Sequence, residues 1–272
     1  LFISVDYEGG KVDRLHAKYG FRATLPAAEV GNLDLDAARA EAAKMAQTLA
    51  KAGFNLNYAP VVDVNINTEN PILGKMGRCF SIDPEQVATF ANIFAEEFLK
   101  AGIIPVCKHF PGHGSSFKDS HLGFVDVTDT WDNAELLPYQ KMSVLNKQQV
   151  MVMTAHIVNR NLDDTGLPAT LSAKILSNLL RDELGFSGII ITDDMQMKAI
   201  ADNYGLEESL VLAINAGVNM FIFGNQLVDR PQNPQEIINI ICNNVQQGKI
   251  SPNLIEDAYT KIKNYKRMVG YA

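Results

Sequence analysis

The sequence predicts an α/β protein of the (β/α)8 TIM-barrel type, on three observations. Helical segments alternate with short apolar segments, which is the pattern of βαβ units and a parallel sheet. The apolar segments, such as MVMTAHI and GIIITDD, are nearly continuous, as in strands buried on both faces. Five of the six carry titratable residues at or close to their C-terminal ends. A barrel uses this rim for its active site, whereas an open doubly wound sheet would use only one switch point.

The apolar segments predicted to be strands are LFISVD, NLNYAPVVDV, IIPVCKH, VMVMTAHI, GIIITDD and VNMFIFGN. A complete barrel of this type needs eight strands. We therefore expect that about the first two βα units of the barrel are missing before Leu1. Residues 1–272 are expected to form a single catalytic barrel domain that is incomplete at its N terminus.

The helices between these strands are predicted by apolar spacing and by their terminal residues. From Asp34 to Ala52, the apolar residues recur at the spacing of one helical face, and Gly53 follows as a left-handed end residue. The other predicted helices start at Asp83–Pro84, at Ser172, near Leu206 and at Ser251–Pro252. They end at Gly102, at Gly185, at Ala216 before Gly217, and in the C-terminal segment.

Composition excludes several classes of function. The chain has 272 residues and a net charge of −7, and it has no basic run, so nucleic acid and anionic membranes are poor candidate partners. No apolar run is long enough to span a membrane. Cys79, Cys107 and Cys242 are too far apart in sequence for a disulfide framework or a Cys-x-x-Cys metal site. We expect a cytoplasmic protein without a cofactor, although a secretion or lipoprotein signal upstream of Leu1 would change its location.

The segment KHFPGHGSSFKDSH, residues 108–121, contains three of the five histidines. Pro111 and Gly112 oppose the helix that a His-x-x-x-His zinc site requires, and GHG is not a Walker loop. Asp119 precedes His121 by two residues, so its carboxylate can orient the imidazole for general acid–base catalysis. A catalytic loop is therefore favoured over a metal site, a phosphate cradle or a solvated loop.

Asp193 and Asp194 end the segment GIIITDD. Successive side chains of a strand point in opposite directions, so at most one of the two is expected to face a reacting centre. A carboxylate at that position can act as a nucleophile, a base, a metal ligand or a stabiliser of positive charge. The structural alternative is a pair of capping residues for the next helix.

Three further segments carry candidate site residues. Asp6 ends the first strand, and Gly9–Gly10 permit a tight turn that would let Arg14 return to the site. Arg78 lies in a glycine-rich segment before a capped helix, where it could equally be solvated. His156 could face the rim of strand ends or could be a hydrogen-bonded histidine of the core.

Taken in order, these motifs resemble glycoside hydrolase family 3, and in particular its single-domain β-N-acetylglucosaminidases known from peptidoglycan recycling. The resemblance runs from the first residue to the last helix. The most specific match is the loop from Lys108 to His121, which fits without a gap. The remaining matches are Asp6, Glu8, Gly9, Gly10, Val12 and Arg14; Gly77, Arg78 and Phe80; and Asp193, Asp194 and Met197, with Met195 in place of leucine.

The resemblance implies a retaining exo-β-N-acetylglucosaminidase that needs no metal. Asp193 would be the nucleophile, His121 the acid/base and Asp119 its partner. Side chains implied to bind the terminal sugar are Asp6, Arg14, Arg78, Lys108 and His109. The implied substrate is a small carbohydrate, either a GlcNAc-containing muropeptide or a chito-oligosaccharide. His113 has no predicted role beyond shaping the loop.

Three alternatives remain open at this point. The same fold could use phosphate instead of water as the acceptor and act as a phosphorylase. It could be another β-glycosidase of the family, although β-glucosidases and β-xylosidases usually take a glutamate acid from a second domain. It could also be a sugar-binding relic without activity.

Overall fold

Six parallel strands form the central sheet of the computed structural model, which describes residues 1–147, 149–228 and 231–268. The strands along the chain are β1 (Ser4–Val5), β2 (Tyr7–Gly9), β3 (Val12–Asp13), β4 (Leu56–Asn57), β5 (Ile104–Phe110), β6 (Met151–Thr154), β7 (Ile190–Asp194) and β8 (Met220–Ile222). The sheet order is β1-β4-β5-β6-β7-β8, and every neighbouring pair is parallel. All six predicted strands are therefore confirmed, in the order expected for consecutive βα units.

Helices connect these strands. The α-helices are α1 (Ala27–Val30), α2 (Leu35–Lys51), α3 (Pro84–Lys100), α4 (Leu137–Lys141), α5 (Lys198–Ala201), α6 (Leu206–Ala216), α7 (Pro234–Gln246) and α8 (Pro252–Met268). A π-helix spans Lys174–Glu183. Short 3-10 helices lie at Ala17–Tyr19, Gly74–Met76, Asn133–Leu136, Ser143–Lys147 and Ala169–Leu171. Among the described residues, no helix combines the length and apolar character needed to cross a bilayer.

Aspartate side chains cap the starts of α2 and α3, and the cap at Asp83 was predicted. The Asp34 side chain accepts the backbone N–H of Ala37 at 2.7 Å, and Asp83 accepts that of Glu85 at 3.0 Å. Each bond satisfies one of the N–H groups that a helix start leaves unpaired. The predicted apolar face of α2 is buried: Ala42, Met45, Ala46 and Leu49.

The sheet buries both of its faces, as its apolar strands predict. In β6, Val152 packs into the large core beneath the helices, whereas Met151 and Met153 pack into a second cluster on the opposite face. At the start of β7, Ile190 packs into the large core, whereas its neighbours Ile189 and Ile191 pack into the second cluster. This alternation is the period-two geometry of an extended chain.

Two features differ from the sequence expectation. After β1 the chain forms the antiparallel hairpin β2–β3, which was predicted only as a tight turn at Gly9–Gly10; both glycines have positive φ, +102° and +59°. The helix expected from Ser172 is a π-helix that begins at Lys174, although the Ser172 hydroxyl still accepts the Ile175 N–H at 3.1 Å. Neither the pairing of a short hairpin nor a π-type hydrogen-bond pattern has a signature in apolar spacing.

Because the six strands are parallel, their carboxyl ends meet at one edge of the sheet. Asp6 follows β1, Lys108 and His109 lie in β5, and Asp193 lies in β7. Val61 forms a bridge to Lys108 beyond the end of β4, which brings Asp63 to the same edge. The polar strand ends predicted from sequence thus lie together at one rim.

Candidate active site

A cavity of about 310 Å³ opens at this rim. Its walls come from the hairpin, the segments after β4 and β5, and the end of β7. All the predicted catalytic and sugar-binding residues line it: Asp6, Arg14, Arg78, Lys108, His109, Asp119, His121 and Asp193. A second cavity of about 700 Å³ shares Asp6, Arg14, Lys108, His121 and Asp193 with the first.

Lys108 forms the centre of a buried row of charges. Its Nζ lies 2.8 Å from Asp6 Oδ1 and 2.6 Å from Glu8 Oε1. Arg78 approaches Glu8 from the other side through two N–H donors, at 2.7 and 2.8 Å. The Lys108 side chain is 3% exposed and that of Arg78 is 10% exposed, so Arg78 is not the solvated arginine of the alternative interpretation.

Glu8 is a member of this row that was not predicted as a site residue. Burial raises its pKa, but Arg78 and Lys108 outweigh burial and lower the pKa to about 2. A signal existed, because Asp6 and Glu8 are two residues apart and an extended chain places such residues on one side. Lys108 contacts both carboxylates because they lie on the same side of the chain.

His109 is fixed by a buried aspartate, Asp63. The Nδ1 atom of His109 lies 2.7 Å from Asp63 Oδ2, and Asp63 Oδ1 accepts the backbone N–H of His113 at 2.8 Å. Burial raises the pKa of Asp63, but the hydrogen bonds from the His109 ring and from the His113 backbone N–H hold it below its ordinary value. Asp63 is therefore an acceptor, His109 carries its hydrogen on Nδ1, and Nε2 is left for the cavity that His109 lines.

The two aspartates of β7 have different surroundings. Asp193 lines both cavities, whereas Asp194 lines only the larger one and accepts the Gln196 N–H at 3.0 Å. Burial raises the pKa of Asp193, but the neighbouring His109 and Lys108 and the Asp194 N–H, which donates at 2.8 Å, hold it below its ordinary value. Asp193 is thus an ionised carboxylate in the cavity wall.

His156 is a hydrogen-bonded histidine of the core. Its Nδ1 lies 2.7 Å from Thr170 Oγ1 and its Nε2 lies 3.0 Å from the Asp194 carbonyl oxygen. Burial lowers its pKa even though Asp193 acts in the opposite direction. A neutral ring with its hydrogen on Nε2 satisfies the carbonyl and supports the backbone beside Asp193.

Asp119 and His121 form a pair at the mouth of the cavity. Their side chains meet at 2.7 Å, between Asp119 Oδ1 and His121 Nδ1. The His121 side chain is 47% exposed and that of Asp119 is 22% exposed, so the pair remains open to solvent and to an incoming molecule. With Nδ1 bound to the carboxylate, Nε2 is the nitrogen available for proton transfer.

The three histidines of residues 108–121 do not share one role. His109 is bound to Asp63, His121 to Asp119, and the His113 Nε2 lies 3.3 Å from Ser120 Oγ. Burial lowers the pKa of His113 to about 4, so this ring is neutral near pH 7.

Glu135 is a second buried acid that the sequence reasoning missed. It lies beneath the loop that follows β5 and accepts the backbone N–H groups of Gly114 and Ser115 at 2.8 and 3.2 Å. Burial, together with the charge of Asp63, raises its pKa to about 8. In the sequence it follows the capping residue Asp132, so it resembles an ordinary first-turn acid.

Comparison with known proteins identifies the family. The glycosyl hydrolase family 3 N terminal domain matches residues 1–265. The chain is 34% identical to beta-hexosaminidase A of Pseudoalteromonas piscicida over 242 residues, which is 81% of this chain and 39% of that protein. It is 35% identical to a beta-hexosaminidase of Tolumonas auensis over 246 residues, 86% of this chain and 71% of that one.

A solved structure has the same fold. The family 3 beta-N-acetylglucosaminidase from Paenibacillus sp. str. FPU-7 superimposes with a TM-score of 0.88 at 30% identity, covering 100% of this chain and 50% of that chain. This chain therefore spans about half of that solved protein and between 39% and 71% of the two relatives. Fold, rim residues and sequence agree, and the chain belongs to glycosyl hydrolase family 3.

Proposed function

We propose that this chain is the catalytic barrel of a retaining exo-β-N-acetylglucosaminidase. The observation that carries the proposal is that Asp193 and the Asp119–His121 pair line one cavity. A half-buried carboxylate with a lowered pKa suits a nucleophile, and an exposed histidine held by a carboxylate suits an acid/base. The beta-hexosaminidase names of the relatives support N-acetylhexosamine as the sugar.

In the first step of the proposed reaction, an Asp193 oxygen attacks the anomeric carbon and the bond to the leaving oxygen breaks. His121 Nε2 gives its proton to that oxygen. In the second step, His121 takes a proton from water, the water oxygen bonds to the anomeric carbon, and the bond to Asp193 breaks. Two displacements retain the configuration.

The row of charges around Lys108 supports the binding half of the proposal. Asp6 is the more open member of the row and offers an acceptor to sugar hydroxyls, and the exposed Arg14 in the wall of the same cavity offers donors. Asp6 and Glu8 together balance the charges of Lys108 and Arg78, so these ionised groups are held in place without a bound sugar. Such preorganisation favours the transition state because no rearrangement is needed during the reaction.

The test is hydrolysis of an aryl β-GlcNAc by the wild type, Asp193→Ala and His121→Ala. Asp193→Ala should lose activity by roughly 10³-fold or more. His121→Ala should lose about 10²- to 10⁴-fold on a poor leaving group and much less on an activated one, which needs no proton. Asp202→Ala, at an exposed aspartate outside the cavity, is the control. Turnover near wild type in either site variant would remove the role given to that residue.

The covalent step and the acceptor need separate measurements. A slow 5-fluoro-GlcNAc substrate with an activated leaving group should label Asp193, which peptide mass spectrometry detects. Product analysis with and without phosphate distinguishes water from phosphate as the acceptor. Faster hydrolysis of an aryl β-glucoside or β-xyloside than of the aryl β-GlcNAc would identify another β-glycosidase. Sugar binding without any hydrolysis would identify a sugar-binding relic. Muropeptides and chito-oligosaccharides compared side by side define the natural aglycone.

A further inference from the structure

The loop that carries the Asp119–His121 pair is fastened firmly at its beginning. Asp63 accepts the backbone N–H of His113 at 2.8 Å, and Glu135 accepts that of Gly114 at 2.8 Å. Asn70 donates from its side chain to the His113 carbonyl oxygen at 2.9 Å. Each of these contacts is buried, so the backbone of this part of the loop is held in place.

The following part of the loop is exposed or half-buried except at one residue. Phe117 is 69% exposed, Leu122 is 73% exposed and Phe124 is 43% exposed, whereas Ser120 is 2% exposed. Ser120 is therefore the point at which the outer part of the loop re-enters the protein. It lies between Asp119 and His121 in the chain, so fixing its position restricts both neighbours.

The Ser120 side chain meets a buried ring that has no assigned role. Its Oγ lies 3.3 Å from His113 Nε2, and its carbonyl oxygen accepts the Ala199 N–H over a long distance, 3.4 Å. The other ring nitrogen, His113 Nδ1, has no hydrogen-bond partner among the described residues. The ring is thus committed to Ser120, and a neutral imidazole can make this bond as donor or as acceptor.

On the basis of the function proposed above, we propose that His113 is a positioning residue for proton transfer. Its bond to Ser120 Oγ holds the loop so that His121 Nε2 faces the leaving oxygen. The His113 ring lines the cavity but is only 2% exposed, and in this assignment it acts through Ser120 and not on the reacting atoms. A loop that is displaced by about 1 Å can reduce a rate by about 10²-fold, so one buried bond is sufficient to matter.

The test compares variants that remove the bond with variants that keep it. Ser120→Ala and His113→Leu remove it, whereas Ser120→Thr and His113→Gln retain a hydroxyl or an amide nitrogen at the contact. The first pair should lose about 10- to 100-fold in kcat/KM on a poor leaving group such as chitobiose. The loss on a 2,4-dinitrophenyl glycoside should be no more than about 3-fold, because that leaving group needs little protonation.

A double variant and the conservative variants separate positioning from general damage. His113→Leu/Ser120→Ala should lose no more activity than the worse single variant, because both changes remove one contact. The Ser120→Thr and His113→Gln variants should recover most of the activity on chitobiose. Equal losses on both substrates in Ser120→Ala and His113→Leu, or additive losses in the double variant, would assign His113 a structural role only and overturn the proposal.

A second readout does not depend on activity. Hydrogen–deuterium exchange of the amides of residues 119–122 should be faster in Ser120→Ala than in Ser120→Thr, with the rest of the chain unchanged. Identical exchange in the two variants would show that the His113–Ser120 contact does not hold the loop in place. If the wild type cleaved no aryl β-GlcNAc, the proposed function would fail, and this exchange experiment would still decide whether the contact holds the loop.

Discussion

Asp119 holds His121 through a single oxygen atom. Its Oδ1 lies 2.7 Å from the ring Nδ1 of His121 and also accepts the backbone N–H of the same residue at 2.8 Å. One atom therefore sets both the ring and the backbone of the proposed acid/base. The arrangement is a short local turn, which explains why two residues of separation in the sequence are sufficient to form it.

Asp119→Asn should lower kcat/KM on a poor leaving group by roughly 10²-fold or more. The amide oxygen of asparagine can accept the same hydrogen bonds from His121, but it cannot stabilise the imidazolium by charge. Steady-state kinetics on two leaving groups check this, with Asp129→Asn as an exposed control in the same stretch of chain. An equal effect of both substitutions would contradict a special role for Asp119.

Glu8→Gln should destabilise the protein by about 3–5 kcal/mol, because it leaves Lys108 and Arg78 as buried cations without their shared anion. Urea unfolding measures the change. The control is Glu69→Gln in the exposed pair with Lys75, where the Glu69 side chain is 72% exposed and the expected change is at most about 1 kcal/mol. A similar cost at both sites would show that burial does not decide the difference.

The buried Glu8 carboxylate should also produce a stability change at acid pH. Its pKa is about 2 in the folded protein against an ordinary value of 4.5. A depressed pKa gives a stabilising contribution that is present above pH 4.5 and is lost as the pH falls through about 2. The free energy of unfolding of the wild type should therefore fall more steeply than that of Glu8→Gln over this window.

Glu135 should produce the opposite dependence. Its pKa is raised from 4.5 to about 8, so the folded protein holds a proton that the unfolded chain releases. Its stabilising contribution is present below pH 4.5 and is lost as the pH rises towards 8. Between these limits the wild type should lose about 1 kcal/mol per pH unit relative to Glu135→Gln. Glu256→Gln, at an exposed site, should leave the slope unchanged.

Gly114→Ala should disrupt the anchored first part of the proposed catalytic loop. A Cβ atom at this position would lie 1.7 Å from the Val64 carbonyl oxygen, so the backbone must move. We expect a loss of at least about 10-fold in kcat/KM together with lower thermal stability. Gly205→Ala is the control, since a Cβ there meets no atom within 4 Å. A fully active Gly114→Ala protein would mean that this part of the loop is not rigid.

Apolar spacing and capping residues were sufficient to predict helices whose signals lie within a few turns of chain. Helix α6 begins at Leu206 and ends at Ala216 as predicted, because its apolar spacing and the following Gly217 lie within a few turns of chain. The caps Asp34 and Asp83 also act over only two or three residues. Helix α7 was not predicted, although it carries the same local signals: Asn233 caps it, Pro234 is its first residue, and Ile237, Ile240 and Ile241 recur at helical spacing.

The chemical identity of the site also follows from the sequence, because parallel strands bring their carboxyl ends together whatever the details of packing. This rule is sufficient to collect Asp6, Lys108, His109 and Asp193 at one rim. Tertiary structure alone decided which charges became buried partners. The contacts of Glu8 with Arg78, Asp63 with His109 and Glu135 with Gly114 join residues 70, 46 and 21 positions apart. Burial and distance set the protonation states of these carboxylates, and neither quantity is encoded in a short stretch of chain.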